Sequence, residues 1–451
     1  MSAMNGRTAR IIDAVRTQLW PVPTFAVVLA LVAGTALPTL DATLEGSLPP
    51  ILSALLFSGG PDAARSVLEA IAGSLITVTS LTFSLTVVTL QLASSQFSPR
   101  LLRTFVADRF VHFTLALFMS SFAFALTVLR SVRSPVDGDP GFVPVISVTV
   151  AFLLAIASIL GLALFLAHLT REIRAETMMQ GVADDTVATL DHNFPKDPGP
   201  QRHAPAAGPG AVRLESARTG FLTSVDREEL LRLAVAEEVV VRIDKQPGNS
   251  LVAGVPFATA WPLDSGTELG IEQLKRLGTG VNAAIHTGSE RTQVQDVAFG
   301  FRQLVDVATR ALSPGVNDPT TAVHVLGHLS GLLCQVLLRR PGPRFLTDEH
   351  NQVRVVVSLP EMADFMDLSL TQPRHYGMGD PEVAARLLQL LQEVSWCDHE
   401  GSHRPEILDH AQRMESSIAA AAHLPQDRAS LLKQARALMA ANTPPEALAG
   451  K

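Results

Sequence analysis

The sequence predicts a membrane α-helical N-terminal domain of about four transmembrane helices, followed by a cytoplasmic α+β domain with a small barrel-like strand unit and helical hairpins. Three observations predict it. Four apolar runs, each near the 20 residues a helix needs to cross a hydrocarbon core, fall before His168. Charge is strongly partitioned: 47% of the 451 residues are hydrophobic and 18% charged, yet residues 17–99 hold few ionisable groups, whereas residues 211–450 have the composition of an ordinary soluble protein. Finally, arginines gather at three places that share one side of a membrane if there are four spans.

The first span runs from Leu19 to Leu40, with Trp20 at the interface and prolines near its ends, where a lost backbone hydrogen bond costs least. The second runs from Val67 to Ala93, the third from Phe110 to Leu129 and the fourth from Phe142 to His168. Leu48 to Phe57 is apolar but too short to cross, and reads as a re-entrant or interfacial turn. Arg7, Arg10 and Arg16 precede span one in the manner of a signal-peptide start, but no small-residue cleavage site follows, so this run reads as a retained helix. Arg100, Arg103 and Arg109 fill the loop after span two, and Arg171 and Arg174 follow span four. The opposite loops carry Asp41, Glu45 and Asp62 with Arg65, then Arg130 and Arg133 balanced by Asp137 and Asp139. The excess of arginine on one side predicts a bacterial inner-membrane protein with both termini cytoplasmic.

Span two is unusually rich in hydroxyl groups. At about 100° per residue, Thr77, Ser80, Ser84, Gln91 and Ser95 fall on one stripe, and Thr79, Thr82, Thr86 and Thr89 fall on nearly the opposite one. Small hydroxyl residues let helices approach closely and bond to their own carbonyls or across helices. They also line polar passages. With two opposed stripes, one can pack within the bundle while the other lines a pore, and the sequence leaves open which is which. No Asp, Glu, Lys or Arg lies between Ala70 and Ser98, which argues against a proton relay in this span. Pro99 breaks the helix, and Arg100, Arg103 and Arg109 then serve either as an anchor to anionic lipid or as a basic ring at an inner pore mouth.

Residues 175–194 read as a helix leaving the membrane, and 195–210 as a Pro/Gly linker, so that 1–174 form the transmembrane domain and 175–210 the connection. A β-rich unit over 211–263 carries strands VRLES and VVVRI around the helix DREELLRLAVAEE, then a PGN turn at 247–249. The pairing of ARTGFLTSVD with PGNSLVAGVPFA predicts half of a lipoyl-type barrel, although Lys245 precedes the turn and does not occupy a carrier's modified position. A mainly helical domain follows over 264–445. It includes a hairpin over 292–339 with the turn SPGVND, a strand at 353–359, and helices around 361–371, 380–395 and 406–440. Asp318 before Pro319 is a strong helix start. Around the hairpin stand Gln295, Asp296, Arg302, Asp306, Arg310, Asn317, Asp318, Thr321, His324 and His328, read either as a cap and ion-pair network or as a ligand site.

Several chemistries find no support. His324 and His328 are four apart but lack the glutamate of a metalloprotease helix, and there is no nucleophile elbow, phosphate loop or dinucleotide fingerprint. Cys334 and Cys397 have no metal or disulfide-framework spacing and read as structural thiols, while His399 and His403 read as an exposed polar loop. No metal, cofactor or enzymatic role is predicted. The net charge of -7, with no basic cluster interleaved with aromatics, argues against a nucleic-acid partner.

SLITVTSLTFSLTVVTLQLASSQFSPRLLRTFVADR at 74–109, VLRSV at 128–132, ALSPGVNDPTTAVHVLGHL at 311–329 and RHYGMGD at 374–380 resemble the predicted bacterial membrane proteins grouped as domain of unknown function 2254. The resemblance runs from span one to about residue 395; His112, Met119 to Ser121 and the tail beyond Trp396 depart from it. It implies the membrane-plus-cytoplasmic architecture and no activity. Two functions remain as expectations: an oligomeric channel or pore with a cytoplasmic regulatory domain, or a membrane-anchored sensor or scaffold that binds ligand or protein. A four-helix protomer is cramped for conduction, so the channel reading requires a homo-oligomer.

Overall fold

The computed structural model describes residues 18, 20–44, 56–96, 108–135, 141–172, 174–194, 205–208, 210–264 and 268–443, with the side chains of 44, 92–96 and 172 left aside. Arg100 and Arg103, the Leu48–Phe57 segment up to residue 55, and the loop acids Glu45, Asp137 and Asp139 lie outside the described residues. The chain divides into two compact units, Met1–Arg174 and Ala175–Lys451.

The first unit contains α1 (Pro21–Leu44), α2 (Pro61–Gln96), α3 (Arg109–Leu129) and α4 (Val145–Glu172). All four are long and apolar enough to cross a membrane. Large apolar side chains stand exposed along them, among them Phe25, Val32, Phe83, Phe152 and Ile159, as lipid-facing surface requires. α3 is the central helix, packed against α1, α2 and α4, and its buried face includes Leu115, Phe118, Phe124 and Val128. α1 lies close against α3 at Gly34, where a Cβ would stand 2.8 Å from the Thr127 Cβ of α3. Ser158 of α4 reaches the Ser121 hydroxyl of α3 at 3.3 Å while bonding its own helix, a small polar clasp inside the bundle.

The second unit opens with α5 (Ala175–Asn193) and then alternates strands and helices. Strands β1 (Val212–Glu215) and β2 (Gly220–Val225) precede α6 (Arg227–Ala236); β3 (Val239–Ile243), β4 (Ser250–Leu251) and β5 (Pro256–Pro262) precede α7 (Ile271–Ala284). β6 (Ile285–Gly288), α8 (Ala298–Ala311), α9 (Pro319–Leu337), β7 (Arg344–Thr347) and β8 (Val353–Val357) follow. The chain finishes with α10 (Met362–Gly377), α11 (Pro381–Cys397), α12 (Arg404–Ala420) and α13 (Pro425–Asn442).

Among the described residues the predicted barrel is absent: the strands form two open sheets, one of order β1-β5-β3-β8-β7 and one of order β4-β2-β6. The two expected segments do meet, since Gly220 pairs with Leu251 and Phe221 with Ser250. β5 then leaves to join the other sheet between β1 and β3. Closure fails because β3 pairs in parallel with β8, a strand from far along the chain, and β8 carries β7 on its other edge. The β3, β5 and β8 residues Val239, Val241, Ile243, Phe257, Val355 and Val357 are buried together with Leu230 and Ala234 of α6 and Leu277 and Val281 of α7.

The predicted helix over 406–440 is two helices. The residue before a proline avoids helical geometry, so Leu424 takes φ -59 and ψ 147 and Pro425 starts α13 at its first position. α9 also satisfies the length and hydropathy of a membrane span. Its apolar positions Val325, Leu326, Leu329, Leu332, Leu333 and Val336 are buried within the second unit, where it packs on α11, α8 and α5.

Candidate functional site

Each residue of α2 turns the helix by about 100°, and its two hydroxyl stripes meet different surroundings. Thr82, Thr86 and Thr89 are buried, at 0%, 7% and 6% exposure, on the face packed against α3 and α4. Their hydroxyls donate to the carbonyls four residues back, at 2.8–2.9 Å, so no donor is left unsatisfied inside the bundle. Thr79 is half-buried at the top of the same stripe and bonds the Leu75 carbonyl.

Thr77, Ser80, Ser84 and Gln91 face outward and are exposed. Thr77 donates to the Gly73 carbonyl at 3.1 Å and Ser80 to the Ile76 carbonyl at 2.9 Å. A hydroxyl whose proton is engaged by its own helix presents oxygen lone pairs to whatever lies outside. Gly73, one turn before Thr77, is also open, with nothing within 4 Å of where a Cβ would stand. The stripe is flanked by exposed Ile76, Leu81, Phe83 and Val88. Ser95 lies within α2, but its side chain is outside the described residues.

Each end of the bundle is tied by an aspartate. Asp41, assigned to a loop by the sequence reading, lies in α1, which continues to Leu44, and is 7% exposed. Its carboxylate accepts from the Ile146 N–H at 2.9 Å, the Ser147 N–H at 3.0 Å and the Ser147 hydroxyl at 2.7 Å, capping the first turn of α4. At the other end Asp108 caps α3 by accepting from the Phe110 N–H at 2.8 Å, and its second oxygen meets His168 Nε2 of α4 at 2.5 Å. The His168 ring lies 4.7 Å from that of Phe110. Arg109 beside this pair is exposed.

The polar residues of the hairpin do not converge on one site. α8 separates them, and its 14 residues span about 20 Å at about 1.5 Å each. Asp296 sits at the N-terminal end of α8, is 2% exposed, and is clamped by Arg291 through Nε at 2.7 Å and Nη2 at 3.0 Å. Burial raises the Asp296 carboxyl above its usual range even though Arg291 pulls the other way. Gly248 of the PGN turn closes over it; with φ +91, any Cβ there would stand 2.1 Å from an Asp296 oxygen. Gln295 stitches this end to β2 by bonding the Val225 N–H and carbonyl.

Arg302 reaches Gln372 of α10 at 3.2 Å, and Asp306 and Arg310, farther along α8, are each engaged in a polar or ionic contact. At the turn, Asn317 is exposed with φ +48, a left-handed position that asparagine tolerates. Asp318 caps α9, accepting from the Thr321 N–H at 3.0 Å and hydroxyl at 2.6 Å. The Thr321 bonds hold the Asp318 carboxyl below the ordinary carboxylate range. His324 faces Glu176 of α5 at 3.6 Å. Among the described residues no three His, Cys, Asp or Glu side chains are grouped to hold a metal ion.

Two features escaped the sequence reading. A cavity of about 630 Å³ lies between α11 and α13, lined by Gln389, Gln392, Trp396, Arg404, Gln434 and Asn442 among others. Beside it, the Cys334 and Cys397 sulfurs are 2.7 Å apart. The only sequence signal for either was the presence of two cysteines, because the contact depends on how α9 and α11 pack.

The family model described as "Predicted membrane protein (DUF2254)" matches residues 16–393. Proteins of Mycobacterium bovis and Mycobacterium tuberculosis, both described as uncharacterized, are each 34% identical to the chain over 402 residues, which covers 87% of this chain and 75% of theirs. No solved structure matches it.

Proposed function

The chain belongs to the DUF2254 family of predicted membrane proteins, and from that premise we propose that it is the subunit of an oligomeric channel in a bacterial inner membrane, with both termini and a regulatory domain in the cytoplasm. The observation that carries this reading is the outward stripe of α2. Thr77, Ser80, Ser84 and Gln91 form an exposed polar stripe set among the exposed apolar Ile76, Leu81, Phe83 and Val88. Hydrocarbon gains nothing from these groups, and the Gln91 amide in particular carries hydrogen-bonding capacity that lipid tails cannot satisfy. A symmetric ring of copies with α2 toward the axis gives every stripe the same polar environment. The lining is then uncharged and rich in oxygen lone pairs, which suits a partly dehydrated cation better than an anion. Arg109, with Arg100 and Arg103, would stand at the cytoplasmic mouth or against lipid head groups. No enzymatic step is assigned to the protein.

A second reading, a membrane-anchored sensor, draws support from the cavity between α11 and α13, whose volume of about 630 Å³ falls within the size range of small-molecule sites, about 300–1,000 Å³. Water-soluble thiol reagents applied to single cysteines along α2, with conductance recorded in reconstituted bilayers, separate the two readings. A hydrated stripe supports the channel, and a dry stripe without conductance leaves the sensor.

A further inference from the structure

Cys334 and Cys397 are the chain's two cysteines, 63 residues apart in sequence. Cys334 lies on α9 and Cys397 is the last residue of α11. The Cys397 and Cys334 sulfurs are 2.7 Å apart, and the Cys334 S–H reaches the Glu393 carbonyl at 3.7 Å. The seam between the two helices is held independently of the thiols. Ser330 of α9 donates to the Glu393 carboxylate of α11, and Arg386 pairs with the same carboxylate at 3.0 Å. This fixed register keeps the sulfurs together. Both thiols are half-buried, and Trp396 and Asp398, which flank Cys397 in sequence, line the cavity between α11 and α13. Burial, reinforced by the neighbouring Cys397 thiol, pushes the Cys334 thiol up to about 12. With its S–H engaged by the Glu393 carbonyl, Cys334 is the less ready nucleophile, which leaves the first attack to Cys397.

We propose that Cys334 and Cys397 are a redox site that closes to an intramolecular disulfide on exposure to peroxide and reopens with a thiol reductant, clamping α9 to the C-terminal end of α11. In the first step the Cys397 thiolate attacks one oxygen of hydrogen peroxide. An S–O bond forms, the O–O bond breaks, and the departing hydroxide leaves as water with the proton released from the thiol. In the second step the Cys334 sulfur attacks the sulfenic sulfur. The S–S bond forms, the S–O bond breaks, and a second water carries off the Cys334 proton. Two thiols lose two electrons and one peroxide becomes two waters. Two molecules of a small thiol reverse the change, becoming a disulfide themselves. The clamp fixes the α11 wall of the cavity to α9, so oxidation state and occupancy of that cavity are coupled through one helix.

The test uses the full-length wild-type protein in detergent, treated with stoichiometric hydrogen peroxide, denatured in an alkylating reagent and analysed by mass spectrometry. The expected result is loss of both alkylatable thiols, a Cys334–Cys397 cross-linked peptide from a single chain, and full recovery of both thiols with dithiothreitol. Cys334→Ser should then accumulate a sulfenic acid at Cys397 that dimedone traps, while Cys397→Ser should leave Cys334 alkylatable. The proposal is overturned if both thiols of the treated wild-type protein remain alkylatable. It is equally overturned if Cys397 proceeds to sulfinic acid with Cys334 still free, or if the disulfide forms between chains. The wild-type measurement needs no variant to fold.

Discussion

The Asp41 carboxylate takes both the backbone N–H of Ser147, at 3.0 Å, and its hydroxyl, at 2.7 Å, from 106 residues away in sequence. Pro144, just before α4, has no N–H to offer, so the open donors of that helix start are those of the following residues, and Asp41 takes two of them. One side chain of α1 thus fixes the entry of α4. Its negative charge also sits at the positive end of the helix dipole.

Asp41→Ala should lower the melting temperature of the detergent-solubilised protein by the equivalent of at least the ~0.5–2 kcal/mol of a lost cap, since the donors it leaves are partly buried. Asp41→Asn keeps one acceptor and should fall between. Equal melting temperatures for all three proteins would show that another group caps α4.

Gly300 of α8 crosses α5 at Thr186 so closely that an added Cβ would stand 1.7 Å from the Thr186 Oγ1 and 2.9 Å from its Cβ. Gly300→Ala should therefore destabilise the protein by about 1–3 kcal/mol through overpacking. Thr186→Ala in the same chain should recover part of that loss. A thermal-unfolding double-mutant cycle with purely additive effects would contradict the close crossing.

Asp318 contributes through its cap on α9, and Asp318→Ala should cost about 0.5–2 kcal/mol. Its carboxyl is depressed below 3.8 by Thr321. The folded protein thus releases this proton more readily than the unfolded chain does. The stabilisation is complete above the unfolded-state value and is lost as pH falls through the lower folded value. Melting temperatures of wild type and Asp318→Ala should differ at pH 7 and converge in acid below that value. A difference that persists unchanged would mean that the carboxylate charge plays no part.

The four apolar helices were legible because a span must be long and apolar wherever it sits, and that constraint is written in local sequence. The cap at Asp318 was legible for a similar reason, as it acts within three residues of itself. Asp41 looked like a loop acid because its partners are brought to it by packing. The barrel failed at β8, whose pairing with β3 no window around residues 211–263 could reveal. The two stripes of α2 were visible, but as near equivalents. Which one is buried depends on where α3 and α4 lie, and that follows from the apolar contacts of the whole bundle. Pro425 was a local stop signal within the run read as one helix over 406–440, and the structure obeys it.

The central claim is that the outward stripe of α2 faces water in an assembly and not lipid. Thr77→Cys, Ser80→Cys, Ser84→Cys and Gln91→Cys should be made singly in a Cys334→Ser, Cys397→Ser background and exposed in membranes to a charged, water-soluble thiol reagent, which reacts only with a hydrated thiolate. Leu81→Cys and Phe83→Cys report the apolar outward surface, and Thr82→Cys and Thr86→Cys report the interior of the bundle. The account predicts labelling at the four stripe positions, little at the other four, and a conductance in reconstituted bilayers that the label at Ser80→Cys or Ser84→Cys alters. Stripe positions as unreactive as Leu81→Cys and Phe83→Cys, in protein shown to be folded, would contradict it.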